Sequence, residues 1–177
     1  SAVNVTQRLV DVCAARDATL DLTPIGSTHL ITAIRAHQDD GDHVAIAGEG
    51  NGGIMFPDYR IARDGAYTAA RFCELLADDA ASEAVAPYDG YANVRRDVAY
   101  ATDGEREAML AAIREATAGA DAERDETDGI RLDYGDAWVL ARPSGTEPIV
   151  RVYAEARDGE RADELADWLA QVAADAA

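Results

Sequence analysis

Lysine is absent from the 177 residues: all sixteen basic side chains are arginine, set against thirty-four acidic ones, for a formal net charge of −18. A surface of that sign repels nucleic acid and anionic membrane, so neither is expected as a partner. Without lysine there is also no Walker-type phosphate loop, which needs an ammonium group to reach the phosphates. Cysteine is scarce, and Cys13 and Cys73 each sit in an apolar helical pattern. They read as small buried hydrophobes in a reducing, cytoplasmic compartment, not as a disulfide or metal framework. No apolar run approaches the ~18 residues of a membrane span. The amino end lacks the basic-then-apolar pattern of a secretory leader. The three histidines, His29, His37 and His43, have no ligand spacing and read as surface or helix-end residues. Trp138 and Trp168 read as core anchors.

With 48% hydrophobic residues the chain can fill one core or two small ones. Thr6 can cap a helix carrying Leu9, Val12 and Cys13 at helical spacing. Residues 19–23 alternate as a short strand, and Ser27 or Thr28 can cap a second helix with Leu30, Ile31 and Ile34 inward. Residues 38–42 read as an exposed loop, and 44–47 as a short apolar run suited to a central strand. After a strand at 54–56, Asp64 caps a third helix whose stripe is Tyr67, Ala70, Cys73, Leu75 and Leu76. Arg60 and Arg63 read as solvated or ion-paired. A stretch rich in Ala, Asp, Ser and Glu over 77–87 marks the domain boundary, dividing the chain into 1–82 and 83–177.

The second part opens with a strand of mixed polarity over 88–100. A helix over 105–118 turns Met109, Leu110, Ile113 and Ala116 inward, and 121–128 reads as an acidic linker. Strands at 130–133, 136–141 and 149–155 follow, then a helix over 160–174 burying Leu165, Trp168, Leu169 and Val172. Strand, helix, three strands and helix make an α+β layer with helices on one face of an antiparallel sheet.

Two connections carry chemistry. Arg142-Pro143-Ser144-Gly145-Thr146-Glu147-Pro148 joins two strands and combines a guanidinium, two hydroxyls and a glycine able to take positive φ. Such a set suits a phosphate, although Ser-Gly by itself also serves an ordinary hairpin. Arg151, on the outgoing strand, either adds a second positive charge or pairs with an acidic neighbour. The other connection is Gly48-Glu49-Gly50-Asn51-Gly52-Gly53. Its glycines admit close backbone approach, and Glu49 and Asn51 offer the mixed donors and acceptors that sugar hydroxyls require. Taken alone, a flexible turn explains it better.

The run RPSGTEP followed by IVRVYAEA resembles the phosphate-binding loop in the C-terminal domain of the α-D-phosphohexomutases. GEGNGG with the trailing FPDYRIARDG resembles that family's sugar-binding loop. The resemblance implies an α/β layered domain, with a mixed sheet and helices on both faces, which is most of the family's third domain. A smaller α+β domain of TATA-box-binding-protein-like form then follows as the fourth. It further implies transfer of a phosphoryl group between the 1 and 6 positions of a hexose, through a phosphoserine and a bisphosphate intermediate, with Mg²⁺ assisting. Glu49, Gly50, Asn51 and Gly52 would hold the sugar, and Arg142, Ser144, Gly145 and Thr146 the phosphate.

The nucleophilic serine and the aspartate-rich metal loop lie in the family's first two domains. Neither appears here, and Asp39-Asp40-Gly41-Asp42, the nearest match, reads as a turn. No catalytic residue or metal ligand is therefore expected in this chain. Mg²⁺ would be bound by a domain outside it, its partners would be the missing N-terminal domains and a hexose phosphate, and alone it would be inactive. A start at Ser1, already close to a helix, agrees with a piece of a longer polypeptide. The family often has serine at Asn51 and histidine at Gly53, which leaves glucose, mannose and glucosamine all open. A non-catalytic module that binds sugar phosphates or another protein is the alternative. The composition, free of lysine and rich in Ala and Asp, resembles that of proteins from salt-loving archaea, in which salt screens the self-repulsion.

Overall fold

The computed structural model describes residues 1–177 except Asn51, Asp78 and Asp79. The chain divides into two units, Ser1–Asp89 and Gly90–Ala177. The expected boundary at 82/83 falls inside a short helix, α4 (Ala81–Val85), which runs into a 3₁₀ turn at Ala86–Tyr88. Side chains tie this stretch to the first unit: Arg16 donates to Tyr88 Oη at 2.7 Å and Arg8 to Asp89 at 3.3 Å.

The first unit is a mixed α/β domain. Helix α1 (Gln7–Ala15) starts where expected, with Thr6 accepting from the Arg8 amide. Residues 19–23 do not form the expected strand: Thr23 makes an isolated parallel bridge to Ala2, and the Asp21 carbonyl accepts from the Ser1 amino group at 2.7 Å, without a continuous ladder. Helix α2 (Ser27–Asp40) is capped by Gly26, at φ +133, not by a hydroxyl of Ser27 or Thr28. It runs on through Asp40 and so absorbs much of the expected loop. Gly41, at φ +90, ends it, with the Gly41 and Asp42 amides donating to the Gln38 and His37 carbonyls. That geometry satisfies two end carbonyls and needs a residue tolerant of left-handed backbone.

Leu30 and Ile34 of α2, one turn apart, pack on Ala47 and Met55. These last two belong to β1 (Ala47–Gly48) and β2 (Ile54–Met55), an antiparallel pair. Only Ala47 of the expected 44–47 strand joins a ladder, and Ile46 is 57% exposed. An apolar run becomes a strand when its N–H and C=O groups find neighbours, and among the described residues this sheet has two strands. Helix α3 (Gly65–Leu75) is capped by Asp64 as expected. Its apolar stripe is not buried, since Ala70, Cys73 and Leu75 are exposed while Tyr67 and Leu76 are half-buried. The expectation of buried cysteines fails too: Cys13 is half-buried, Cys73 exposed and both are free.

The second unit is a five-stranded antiparallel sheet, order β3-β7-β6-β5-β4, with two helices on one face. The strands are β3 (Ala92–Ala99), β4 (Glu123–Asp125), β5 (Ile130–Asp133), β6 (Ala137–Pro143) and β7 (Ile149–Ala156). Alternation decides the faces: Val139, Ala141, Val150, Val152 and Ala154 point to the helices and are fully buried. Against them pack Met109 and Ile113 of α5 (Asp103–Thr117) and Leu165, Ala166 and Leu169 of α6 (Gly159–Ala174).

Thr117 takes the inward place expected of Ala116, because Met109, Ile113 and Thr117 share one i, i+4 stripe. Trp168 and Val172 are only half-buried, at the margin of the α6 face. The acidic stretch at 121–128 contains β4, hidden from a composition reading because Glu and Asp disfavour strands. Arg124 fastens it to α5 by donating to Thr117 Oγ1 at 2.7 Å. Among the described residues no helix is long and apolar enough to cross a membrane.

His37 sits in the last turn of α2, with Nδ1 at 2.9 Å from Asp42 and Nε2 at 3.1 Å from Asp21. These carboxylates, Asp42 foremost, raise the imidazole above its ordinary 6.5. Because the folded value is the higher one, the bridge stabilises fully below about pH 6.5 and its contribution fades as pH climbs through the raised value. In thermal melts the gap between the parent and His37→Gln should therefore be widest near about pH 5.5 and narrow toward about pH 9. A gap that widens with pH would contradict this assignment.

Candidate functional site

Each candidate loop is a hairpin connection within its own unit. In the first unit the Glu49 amide donates to the Gly53 carbonyl at 3.2 Å and the Gly52 amide to the Glu49 carbonyl at 3.1 Å. Gly52 is at φ +85 and would be strained as any other residue. A Cβ at Gly48 would stand 2.8 Å from Ile54 Cδ1, the end of a side chain that can turn aside. Gly50 is exposed in open space, and Asn51 lies outside the described residues. The Glu49 side chain is only 7% exposed, and Arg63 Nη1 approaches it at 3.7 Å. Arg60 pairs with Asp64 at 3.3 Å, so both arginines of the FPDYRIARDG run are ion-paired. Two rings of the same run meet Tyr67 of α3: Tyr59 stacks on it at 4.1 Å and Phe56 meets it edge-on at 5.3 Å.

In the second unit β6 runs through Pro143, so the connection to β7 is shorter than expected, Ser144 to Pro148. The Ser144 amide is spent on the Ile149 carbonyl at 2.9 Å. Its hydroxyl accepts from the Thr146 amide at 3.4 Å and the Glu147 amide at 3.3 Å. These bonds are long, and an anion's oxygen could replace them at small cost. The positive φ anticipated at Gly145 is not found, and nothing lies within 4 Å of where its Cβ would be. Ser144, through its hydroxyl, shapes this turn.

Arg142 and Arg151 are direct cross-strand partners in the β6–β7 register. Like charges so placed repel, and each is met by a carboxylate. Glu147 pairs with Arg151, so the ion-paired alternative for Arg151 is the one observed. Asp128 Oδ2 lies 2.9 Å from Arg142 Nε. The contact is an ion pair without hydrogen-bond alignment, since Arg142 Nε has no hydrogen-bond partner. Both members are mostly buried, their side chains 12% and 17% exposed.

The sequence reading missed Asp128 and Gly129. Gly129 is at φ +91, and a Cβ there would stand 2.3 Å from the Ala141 carbonyl oxygen and 2.6 Å from Arg142 Cβ. An Asp-Gly pair directly before a strand was the available signal, but it looked like the end of a linker. His29, His37 and His43 are exposed or half-buried, as expected, and Trp138 is buried. Among the described residues no group of three or more His, Cys, Asp or Glu could hold a metal ion.

Comparison with known proteins decides the family. A model described as "Phosphoglucomutase/phosphomannomutase, alpha/beta/alpha domain III" matches residues 1–91, and one described as the C-terminal domain of the same family matches 93–172. The chain belongs to the phosphoglucomutase/phosphomannomutase family. It is similar to a Thermococcus kodakarensis phosphoglucomutase/phosphomannomutase, 37% identical over 90% of this chain and 34% of that protein. It also resembles a Sulfurisphaera tokodaii phosphoglucosamine/phosphogalactosamine mutase, 31% identical over 97% of this chain and 37% of the relative. The chain thus spans about a third of the length of the curated relatives it matches.

Among solved structures, a Burkholderia thailandensis family protein has the same fold, with TM-score 0.79 and 24% identity over 99% of this chain and 36% of that one. An Aspergillus fumigatus N-acetylphosphoglucosamine mutase, solved with GlcNAc-6P and magnesium, gives TM-score 0.71 and 20% identity, covering 99% of this chain and 38% of its own.

The two glycines beside Arg142 should respond differently to substitution. Gly129→Ala forces a left-handed alanine into contact with the β6 backbone and should cost at least about 2 kcal/mol. Gly145→Ala should stay within about 0.5 kcal/mol of the parent. Both tryptophans lie in the second unit, so their fluorescence in urea titrations isolates that unit. Equal midpoints for the two variants would refute the packing described at Gly129.

Proposed function

We propose that this chain is the carbohydrate- and phosphate-gripping part of a phosphohexomutase, which interconverts hexose 1- and 6-phosphates through a phosphoserine and a bisphosphate. The observation that carries this reading is the hairpin between β6 and β7. It combines a mostly buried arginine, Arg142, with hydroxyls at Ser144 and Thr146 and amides held only by long bonds. Arg142 supplies a planar fork for two phosphate oxygens, and the loop amides and hydroxyls supply donors for the remainder. Glu49 accepts from sugar hydroxyls, and Gly50, Asn51 and Gly52 are the other residues of the sugar grip.

Phosphoryl transfer is mostly positioning and charge neutralisation, so a grip on the phosphate that does not react still belongs to catalysis. When bound, Mg²⁺ would neutralise charge on the transferring group. It would be held by residues outside this chain, as would the serine nucleophile. Membership of a mutase family, and the third of the relatives' length that the chain spans, support this division. The chain alone would bind hexose phosphates without turning them over, because binding without reacting groups supplies no chemical step.

The test joins the chain to the amino-terminal portion that its relatives possess and assays the product at high salt, which screens a net charge of −18. Glucose, mannose and glucosamine phosphates are offered with Mg²⁺ and a bisphosphate primer. The joined protein should turn over at least one of them and lose activity when Glu49→Ala and Arg142→Ala are combined. Turnover by the 177 residues alone, or none by the joined protein, would contradict the proposal.

A further inference from the structure

We propose that Asp128 is a positioning residue for Arg142, holding one side of the guanidinium so that the other is presented to phosphate. This rests on reading the β6–β7 hairpin as a phosphate grip. Among the described residues Asp128 is the partner found for Arg142, and it approaches Nε, at 2.9 Å. The approach is on the Nε side of the guanidinium, and the two Nη nitrogens form the fork suited to a phosphate.

The backbone fixes the carboxylate independently of the charge. Gly129 follows it at φ +91, pressed so closely on β6 that a Cβ would stand 2.3 Å from the Ala141 oxygen and 2.9 Å from Arg142 Cα. On the amino side the turn is closed by the Thr127 amide donating to Asp125 Oδ1 at 2.7 Å. Asp128 is therefore delivered to the root of Arg142 by the same turn that packs against the Arg142 backbone.

An arginine left without this contact would have reason to move. Its side chain has several free torsions, and its cross-strand neighbour is Arg151, of like charge. One effect opposes positioning, because a carboxylate near a bound phosphate repels it. Removing Asp128 at low salt would mix the two. At about 1 M salt the screening length falls to about 3 Å, the repulsion is largely removed and the positioning effect remains.

The experiment is calorimetric titration of the 177-residue chain with glucose 6-phosphate, and separately with inorganic phosphate, in about 1 M KCl. Asp128→Asn should weaken both by about tenfold. Asp136→Asn removes the same charge from another turn of the second unit and should bind as the parent does. In an Arg142→Lys background, where no planar fork remains to be aimed, adding Asp128→Asn should change affinity little. A role confined to stability would instead give additive losses.

Parent-like or tighter binding by Asp128→Asn, or full additivity with Arg142→Lys, overturns the assignment. Should Asp128→Asn fail to fold, Asp128→Glu carries the test. It keeps the charge but shifts it by a methylene, and parent-like affinity in that variant overturns the assignment equally. If the parent binds neither ligand, the reading of the hairpin itself falls and the role of Asp128 with it.

Discussion

The antiparallel register of β6 and β7 sets Arg142 directly opposite Arg151 on the sheet face turned away from the helices, and the behaviour of the hairpin follows from that pairing. Two guanidiniums in adjacent strands are an unfavourable pair unless anions share the space. The protein supplies Asp128 to one and Glu147 to the other. The two carboxylates differ: the Asp128 side chain is 17% exposed and backed by a rigid Asp-Gly turn, whereas that of Glu147 is 55% exposed on the connecting loop. An entering phosphate would thus meet one arginine held firmly and another whose partner can yield.

This arrangement requires a sheet that does not shift. The opposite face provides that rigidity through a core of Val, Ala, Leu and Ile side chains with Met109, almost all without polar atoms. Each large side chain buried there contributes about 1.5–3 kcal/mol, far more than the surface ion pairs around it. Arg96, clasped by Asp163 and Asp167 at 2.7 and 2.8 Å, illustrates the weaker kind. Its charges are largely in water, and salt that relieves the overall self-repulsion also weakens such pairs. Buried apolar area therefore holds the second unit.

Much of this was legible in the residues. The order strand, helix, three strands and helix, with Leu165 and Leu169 inward, follows from period and length, and Thr6 and Asp64 cap their helices as their chemistry suggests. What was illegible depended on neighbours distant in sequence. Ile46 and Leu75 belong to apolar patterns, but pattern does not say what covers them, and both are exposed. The strand Glu123–Asp125 was hidden because its residues favour loops, and only its pairing with β5 makes it a strand. At the site, Arg142 and Ser144 were visible as chemical types. The partnership of Arg142 with Asp128 was not, since it depends on the β5–β6 register bringing residue 129 against 142. Gly145 misled in the opposite sense, because glycine in a turn suggests positive φ and this one does not have it.

The central claim is that the Ser144–Pro148 connection, with Arg142 at its base, recognises phosphate and not sugar alone. Two-dimensional amide spectra of the chain, with the arginine Nε–H region included, test it directly during titration with glucose 6-phosphate, inorganic phosphate and glucose. The account predicts saturable shifts at Ser144, Gly145, Thr146 and the Arg142 Nε–H with both phosphates and none at those positions with glucose. Shifts confined elsewhere, or the same shifts with glucose as with its phosphate, would contradict it.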